Sequence, residues 1–264
     1  MSDAASERDP APAVTRSIRI LGLLADAHGH PMALSEIARA IGAAKSSTSN
    51  LCVVLEENGL IQRRDGGFVL GRRTVELGGA YIASFDQVRE FYRLAAESPL
   101  LSHELMQIAV LDGTEVLYLA RHEGRAPLRL TASIGDRFPA APTAVGNALL
   151  SLLPPEEVAA RFASPAAFPK RTERSTADLP ALQRKLDLVR ERGYALDEGE
   201  VHPGVVGLAR VIPPRASGES ALALGVSLVE PSAAHRDAIL VELAAVVAQL
   251  SNPLLIGTDN STTR

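Results

Sequence analysis

The sequence predicts an α+β protein in two parts, a small helical N-terminal unit and a larger unit in which strands alternate with helices. In the N-terminal part, apolar residues recur at helical spacing, and the turn Asp65-Gly66-Gly67 then separates two short apolar runs. Beyond about residue 99, strand-like runs alternate with amphipathic stretches. Hydrophobic residues make up 46% of the 264 residues, which is enough for a sizeable core in each part.

Charge divides the chain at about the same place. Residues 13–73 contain eight Arg and Lys against five Asp and Glu, a net charge of +3. Because the whole chain carries −4, the remainder carries −7. A basic module joined to an acidic one favours nucleic acid as the partner of the first. The polar ends, residues 1–12 and 252–264, are predicted to be a disordered arm and tail.

Two helices are predicted before Lys45. The segment AVTRSIRILGLLADAH places Val14, Ile18 and Leu21 on one face at helical spacing, with Leu24 or Ala25. A Gly-His-Pro turn follows. The second helix is LSEIARAIG, in which Ser35 is the expected N-cap and Gly42 the expected stop.

A third helix is predicted from about Lys45 to Glu57, and LIQRRDGGFVLG follows it as a two-stranded hairpin. Helix, helix, tight turn, helix and hairpin together form a winged helix-turn-helix over residues 13–73. In this arrangement the third helix enters the major groove of DNA. Its inward side chains are expected to be Leu51, Val54 and Leu55.

A lysine and a run of hydroxyl side chains open this third helix, where the backbone N–H groups already favour phosphate. Short polar side chains suit phosphates or base edges, and two arginines at the start of the wing could reach the backbone or a minor groove. The sequence therefore predicts DNA contacts from Lys45, Ser46, Ser47, Thr48, Asn50, Arg63 and Arg64. Since Ser and Thr are common N-caps, one of the three hydroxyl residues is also expected to cap the helix.

Residues 74–98 predict one linker helix, whose apolar stripe could pair with a second subunit or simply begin the next unit. Residues 99–251 predict an antiparallel sheet with helices packed on it. The expected strands are the hairpin HELMQIAVLDGTEVLYLARHEG, then LRLTASIG, VVGLARVIPP and ALALGVSLV. The expected helices are PTAVGNALLSLL, PPEEVAARFA, ADLPALQRKLDLVRERG and HRDAILVELAAVVAQL.

The chain shows no recognised catalytic or cofactor motif. It has no G-x-S-x-G elbow, P-loop or G-x-G-x-x-G, and its six histidines lack metal-ligand spacing, so neither a cofactor nor a metal is predicted. LDEGEVH (196–202) is interpreted as a solvated loop with one pocket acid. Cys52, the only cysteine, fits a buried thiol in the cytoplasm. No apolar stretch is long enough for a membrane span, and no signal core is present.

Three segments resemble the IclR family of bacterial transcription regulators. LSEIARAIGAAKSSTSNLCVVLEENGLIQRRDGGFVLG is similar to the family's winged helix, and ERGYALDEGEVHPGVVGLARVIPP to its C-terminal signature region. IGDRFPAAPTAVGNALLSLLPPEE resembles the loop and helix of its ligand pocket. The resemblance covers about residues 13–251 and implies a GAF-like effector domain for a small molecule, often a carboxylate or aromatic metabolite. It also implies a homodimer, or a dimer of dimers, on double-stranded operator DNA.

The resemblance further implies seven effector-binding positions. They are Gly135, Ala144, Val145, Asp197, Gly207, Gly225 and Ser227. Many relatives have Cys where this chain has Gly207 and Ser where it has Gly225, so we expect a larger or more apolar effector, such as an aromatic acid or an amide-like compound. Relatives often have Arg at Asn50 and Pro at Ala44, so the operator sequence is not transferable.

The sequence as a whole predicts a transcription regulator controlled by a small effector. One alternative is a DNA-tethered enzyme that turns over the same small molecule, although no positioned nucleophile or base is evident. A second alternative is an adaptor whose C-terminal unit binds only protein, which would lack a ligand-sized cavity.

Overall fold

The computed structural model describes residues 9–124 and 132–252. They divide into two units between Ser84 and Phe85. Most of the predicted arm and tail lies outside the described residues, and so does the first half of the strand predicted at 128–135. The described strand nearest to it is a short one at Arg137–Pro139.

The N-terminal unit opens with three helices and a hairpin. These elements are α1 (Pro12–Asp26), α2 (Leu34–Ile41), α3 (Lys45–Glu57), β1 (Ile61–Arg64) and β2 (Gly67–Leu70), and the two strands pair antiparallel. The predicted order of elements is confirmed. Helix α2 stops at Gly42, whose φ of 65° lies in the left-handed region that glycine tolerates. Its N-cap is Ala33 and not the predicted Ser35, because the chain is still extended at Ala33.

The core of this unit includes Ile20, Leu24, Ile37, Cys52 and Phe68. Cys52 is a free, buried thiol, as predicted. The predicted inward face of α1 is wrong at Val14 and Ile18, which are 58% and 63% exposed, whereas Leu24 is buried, as one of the two predicted alternatives had it. The buried stripe runs through Ile20 and Leu24, about a third of a turn from Val14 and Ile18 on the helix surface.

The predicted linker helix is divided in two. Helix α4 (Arg73–Ala83) ends just before Ser84, and α5 (Asp86–Glu97) begins the C-terminal unit. Helix α5 buries an apolar face that includes Phe91 and Leu94. Helix α4 buries no residue, although it carries Val75, Leu77 and Tyr81.

The C-terminal unit is built on a six-stranded antiparallel sheet in the order β5-β4-β3-β8-β7-β6, which confirms the predicted α+β architecture. Its strands are β3 (Leu105–Asp112), β4 (Glu115–His122), β5 (Arg137–Pro139), β6 (Ala195–Glu198), β7 (Val205–Ile212) and β8 (Leu222–Val229). Its further helices are α6 (Ala144–Leu150), α7 (Pro155–Arg161), α8 (Leu179–Arg192) and α9 (Ala233–Leu250).

Both faces of the sheet are covered. Ala109, Ala209 and Ala223 form a core with α6, α7 and α8 on one face. The residues that alternate with them along the strands point to the other face, and those such as Ile108 and Leu224 are also fully buried. Small alanines on the α6 side let that short helix lie close to the strands, and this close approach shapes the site described below.

Candidate DNA-binding and effector-binding sites

The start of α3 is an exposed polar surface. The helix begins at Lys45 because Ala44 is extended, with φ −62° and ψ 144°. Lys45, Ser46 and Ser47 form the first turn, and all three are exposed. Ala44 occupies the capping position without a side-chain hydrogen bond, so the prediction that a hydroxyl residue caps this helix is wrong. The first-turn N–H groups have no side-chain cap and are therefore suited to bind phosphate.

Thr48 does not belong to this surface. Its side chain is fully buried, and its Oγ1 donates to the carbonyl oxygen of Ala44 at 3.0 Å. It lies on the inward side of α3 together with Cys52 and Leu55. The predicted DNA contact from the Thr48 side chain is therefore wrong, because its hydroxyl is satisfied by the preceding turn.

The outward face of α3 continues through Asn50 to two valines. Asn50 is exposed, and Val53 and Val54 are 41% and 56% exposed. The predicted inward position of Val54 is wrong, whereas Leu55 is buried and Leu51 half-buried. An amide next to two branched apolar side chains resembles the chemistry that contacts an adenine edge and a thymine methyl.

The two wing arginines are exposed and each is held in place. Arg63 forms an ion pair with Glu56 at 3.1 Å, and its guanidinium lies 4.7 Å from the ring centre of Phe68. Arg64 donates through Nη2 to the carbonyl oxygen of Gly29 at 2.8 Å, in the turn between α1 and α2. Each guanidinium has further N–H groups, so both can still donate to a phosphate.

In the C-terminal unit a cavity of about 60 Å³ lies between α6 and the sheet. Residues from all six strands line it. In four of these strands the register pairs Gln107 with Gly225, Ser227 with Gly207, and Gly207 with Asp197. Six of the seven predicted positions are brought together here. They are Ala144, Val145, Asp197, Gly207, Gly225 and Ser227.

Gly135, the seventh predicted position, does not line the cavity. It has a φ of 91° in the turn before β5, and its N–H donates to the carbonyl oxygen of Tyr118 at 2.8 Å. Its part is therefore to hold β4 in place. Gly135 is therefore connected to the cavity only through this backbone hydrogen bond to Tyr118, whose side chain lines the wall.

Sequence reasoning missed most of the other lining side chains. They include Gln107, Tyr118, Phe138, Thr143, Val201 and His202. Gln107 left a signal, since it is the one polar residue in LMQIAV, and its Nε2 donates to the carbonyl oxygen of Ala132 at 3.0 Å. The remaining ones depend on strand register and loop path, which carry no local signature.

Among the described residues that line the cavity, Asp197 is the only acid, and it is only 5% exposed. Burial raises its pKa to about 7, although the Glu200 backbone N–H, which donates to Oδ1 at 2.6 Å, opposes that rise. The charge of Glu200 raises the pKa further and that of Lys185 lowers it. Near neutral pH this carboxyl can therefore accept or donate a hydrogen bond.

The segment 196–202 is not the solvated loop that was predicted. Glu200 is buried and forms an ion pair with Lys185 of α8 at 2.5 Å. Burial lowers the pKa of the Lys185 ammonium group, against the opposing effect of Glu200. Glu198 alone among the acids of this segment is exposed, and it forms an ion pair with Arg236 at 3.2 Å.

The two glycines of the cavity have different surroundings. A Cβ at Gly225 would lie 2.5 Å from Val145 Cγ1, whereas a Cβ at Gly207 would lie 3.3 Å from Ala144 Cβ and from Asp197 Cβ. Val145 therefore fills the space next to Gly225. The glycine at this position therefore adds no room to the cavity, because the Val145 side chain occupies the space that a Cβ would take.

Within the described ranges, no three His, Cys, Asp or Glu side chains are grouped so that they could hold a metal ion. In the same part of the chain, no helix has the length and apolarity to cross a membrane.

Residues 13–65 match the IclR helix-turn-helix domain, and residues 80–252 match the bacterial transcriptional regulator IclR C-terminal family. The chain belongs to the IclR family of transcriptional regulators. Both matches agree with the resemblance seen in the sequence, and they include the start of α3 and the cavity.

Other members of the IclR family are similar along most of their length. The HTH-type transcriptional repressor AllR of Klebsiella pneumoniae is 29% identical over 209 residues, which are 78% of this chain and 76% of that protein. The HTH-type transcriptional regulator XynR of Escherichia coli K12 is 28% identical over 194 residues, 73% of this chain and 76% of its own. Both relatives are transcriptional regulators by name.

Solved IclR-family structures share the fold. The repressor BlcR of Agobacterium tumefaciens is 31% identical with a TM-score of 0.59, and the match covers 95% of this chain and all of that one. An IclR homologue from Microbacterium hydrocarbonoxydans, solved in complex with 4-hydroxybenzoate, is 23% identical with a TM-score of 0.78 over 90% of this chain and 97% of its own.

Proposed function

We propose that this protein binds double-stranded operator DNA through α3 and the wing, and that a small organic acid in the cavity of the C-terminal unit controls this binding. The observation that carries the proposal is the cavity itself. It joins six positions expected for an effector, one of them a buried acid, in a chain whose other unit presents an exposed polar recognition helix.

The DNA-binding set that we propose is smaller than the one predicted from the sequence. It comprises Lys45, Ser46, Ser47, Asn50, Arg63 and Arg64, and Thr48 is excluded by its burial. Val53 and Val54 join the outward face, where they are suited to contact thymine methyl groups.

We further propose a homodimer, or a dimer of dimers, on the operator. Helix α4 supports this, because it buries none of its own residues and exposes Leu77 and Tyr81 on one side and Val75 on another. A second subunit could cover the side that carries Leu77 and Tyr81. Two recognition helices of a dimer could then enter successive major grooves about 34 Å apart on one side of the DNA.

The cavity lining favours a small acid or phenol that shares a proton with Asp197. Among the lining residues that the structure describes, none is Lys or Arg, so within this part of the wall an anionic effector would lie next to Asp197 without a fixed cation. An edge-to-face pair, Tyr118 and Phe138 with ring centres 5.8 Å apart, provides an aromatic wall. The volume of about 60 Å³ is small for a ring, so an aromatic acid requires wall side chains such as Phe138 to move. The 4-hydroxybenzoate complex of a relative supports testing this class first.

Replacing Lys45 with alanine is expected to weaken operator binding and to flatten its dependence on salt. One lost phosphate contact lowers the slope of log affinity against log salt by about one. The measurement is a salt series on a duplex selected from a random library by the unaltered protein. Lys170→Ala removes another exposed lysine, located in the C-terminal unit, and should change neither quantity. An unchanged slope for Lys45→Ala would exclude the phosphate contact.

A thermal-shift screen tests the effector half of the proposal. A ligand at a hundredfold excess over its dissociation constant should stabilise the protein by about 2.7 kcal/mol. The panel contains 4-hydroxybenzoate, benzoate, pyruvate and glyoxylate, with alcohols and amides as controls. Recovery of unchanged ligand supports a sensor, and a converted ligand supports the DNA-tethered enzyme. Binding of pyruvate or glyoxylate without any aromatic acid would contradict the aromatic class, and a flat screen would contradict the acid effector.

A further inference from the structure

Behind the cavity lies a buried polar cluster that none of the roles above uses. Its centre is Lys185 of α8, whose ammonium group has three hydrogen-bond acceptors. The Nζ atom lies 2.5 Å from Glu200 Oε1, 3.0 Å from Thr176 Oγ1 and 3.2 Å from the carbonyl oxygen of Ala141. All three of its N–H groups can therefore be satisfied within the unit.

The carboxylate of Glu200 is equally well bound. Its Oε2 accepts from the Thr176 hydroxyl at 2.6 Å and from the Thr176 backbone N–H at 3.0 Å. Its carbonyl oxygen accepts from Ser175 Oγ at 2.7 Å. The turn that follows β6 is thus fastened to α8 and to the segment before it by both the side chain and the backbone of one residue.

One further bond connects this cluster to the cavity. The backbone N–H of Glu200 donates to Asp197 Oδ1 at 2.6 Å. Lys185 and Glu200 do not line the cavity and lie instead in a separate cleft of about 560 Å³. They would not touch a ligand in the cavity, yet they hold the residue that would.

We infer that the Lys185–Glu200 ion pair is a positioning element of the effector cavity, which fastens the turn after β6 so that Asp197 stays buried and faces the ligand. The inference rests on the proposed function in one respect, namely that the cavity binds an effector. The two side chains are only 22% and 11% exposed, so breaking the pair leaves a largely desolvated charge without its partner, which is unfavourable. Either single substitution should therefore loosen the turn.

The groups around Asp197 make this testable. The titratable groups near it are Glu200 and His202 in the following turn, Lys185 on α8 and Tyr118 on β4. The other two elements that pack against it, β7 and α6, contribute the uncharged residues Gly207 and Ala144. Burial is the largest cause of the raised pKa of Asp197, ahead of the Glu200 backbone N–H, which lowers it, and of the charges of Glu200 and Lys185, which act in opposite directions. A loosened turn would lose both the burial and this hydrogen bond, and since burial has the larger effect, the pKa would fall in both variants. A purely electrostatic role would instead raise the pKa when Lys185 is lost and lower it when Glu200 is lost, so Lys185→Met separates the two.

The experiment follows the Asp197 carboxyl carbon by NMR between pH 4 and 9 in the full-length protein without ligand. The signal is assigned with Asp197→Asn. We expect Lys185→Met and Glu200→Gln each to lower the midpoint by about one pH unit or more. Glu90→Gln and Arg215→Met break another buried pair of the same unit, 3.2 Å apart, and should leave the midpoint unchanged.

The midpoint of Lys185→Met decides the inference. A raised or unchanged midpoint in this variant would overturn it, whatever the midpoint of Glu200→Gln, and a lowered midpoint in both variants would support it. Amide spectra establish that each variant is folded, and if Lys185→Met does not fold, the near-isosteric Glu200→Gln and Lys185→Gln are used in its place. Because the titration needs no effector and no DNA, a flat effector screen would not affect its result.

Discussion

Replacing Asp197 with asparagine is expected to stabilise the protein by about 4 kcal/mol at pH 8 and by about 2 kcal/mol at pH 5. The pKa of this carboxyl rises from its ordinary value of 3.8 to about 7 in the folded state. As the pH rises through this interval, the unfolded chain releases a proton that the folded protein retains. The free energy of unfolding therefore falls until about pH 7 and is level above it, and asparagine removes this loss.

Denaturant unfolding at pH 5 and pH 8, at constant ionic strength, measures the difference. Asp187→Asn is the control, since this exposed acid of α8 is paired at the surface with Arg190 at 2.8 Å and should show no comparable pH dependence. Equal effects of Asp197→Asn at the two pH values would contradict the prediction. We also expect Asp197→Asn to lose its response to the effector, because a buried carboxyl that lowers the stability of the folded protein is typical of a binding site.

Replacing Gly146 with alanine is expected to destabilise the C-terminal unit by about 3 kcal/mol. A Cβ at this position would lie 2.2 Å from the carbonyl oxygen of Ala140 and 2.5 Å from its Cα. These are backbone atoms, so α6 must move away from the preceding loop. Because α6 carries Ala144 and Val145 into the cavity, effector binding should be lost as well.

Gly22→Ala provides the matched control for this substitution. Gly22 lies inside α1, and a Cβ there would have no atom within 4 Å. Alanine at an open helix position stabilises by up to about 1 kcal/mol. Thermal or denaturant unfolding compares the two variants, and a change below about 0.5 kcal/mol for Gly146→Ala would show that α6 tolerates a wider spacing.

The N-terminal unit could be predicted almost to the residue because its signals are local. Gly42 ends a helix and Asp65-Gly66 turns a hairpin, whatever the rest of the chain does. The errors concern which residue caps a helix, at Ser35 and at the start of α3, and which way a helix faces. The periodicity of α1 was interpreted with Val14 inward, whereas the packing of the three helices buries Ile20.

The cavity could be located from the sequence only by resemblance. Gln107 and Gly225 face each other in adjacent strands although more than a hundred residues separate them, and no local pattern encodes that pairing. The consequence of a glycine at 225 was also misjudged, because Val145 on α6 occupies the freed space. The residue type at one pocket position therefore predicts the pocket volume only when the side chains opposite it are known.

The row of lining residues across β3, β8, β7 and β6 also determines when the cavity can form. During synthesis the helices and wing are complete once about residue 70 has emerged, since their contacts are close in sequence. The cavity must wait for β8, because this strand carries Gly225 and Ser227, lies between β3 and β7 in the sheet, and is made after both. A nascent or truncated chain that ends before β8 would therefore present its recognition helix without any means of sensing the effector.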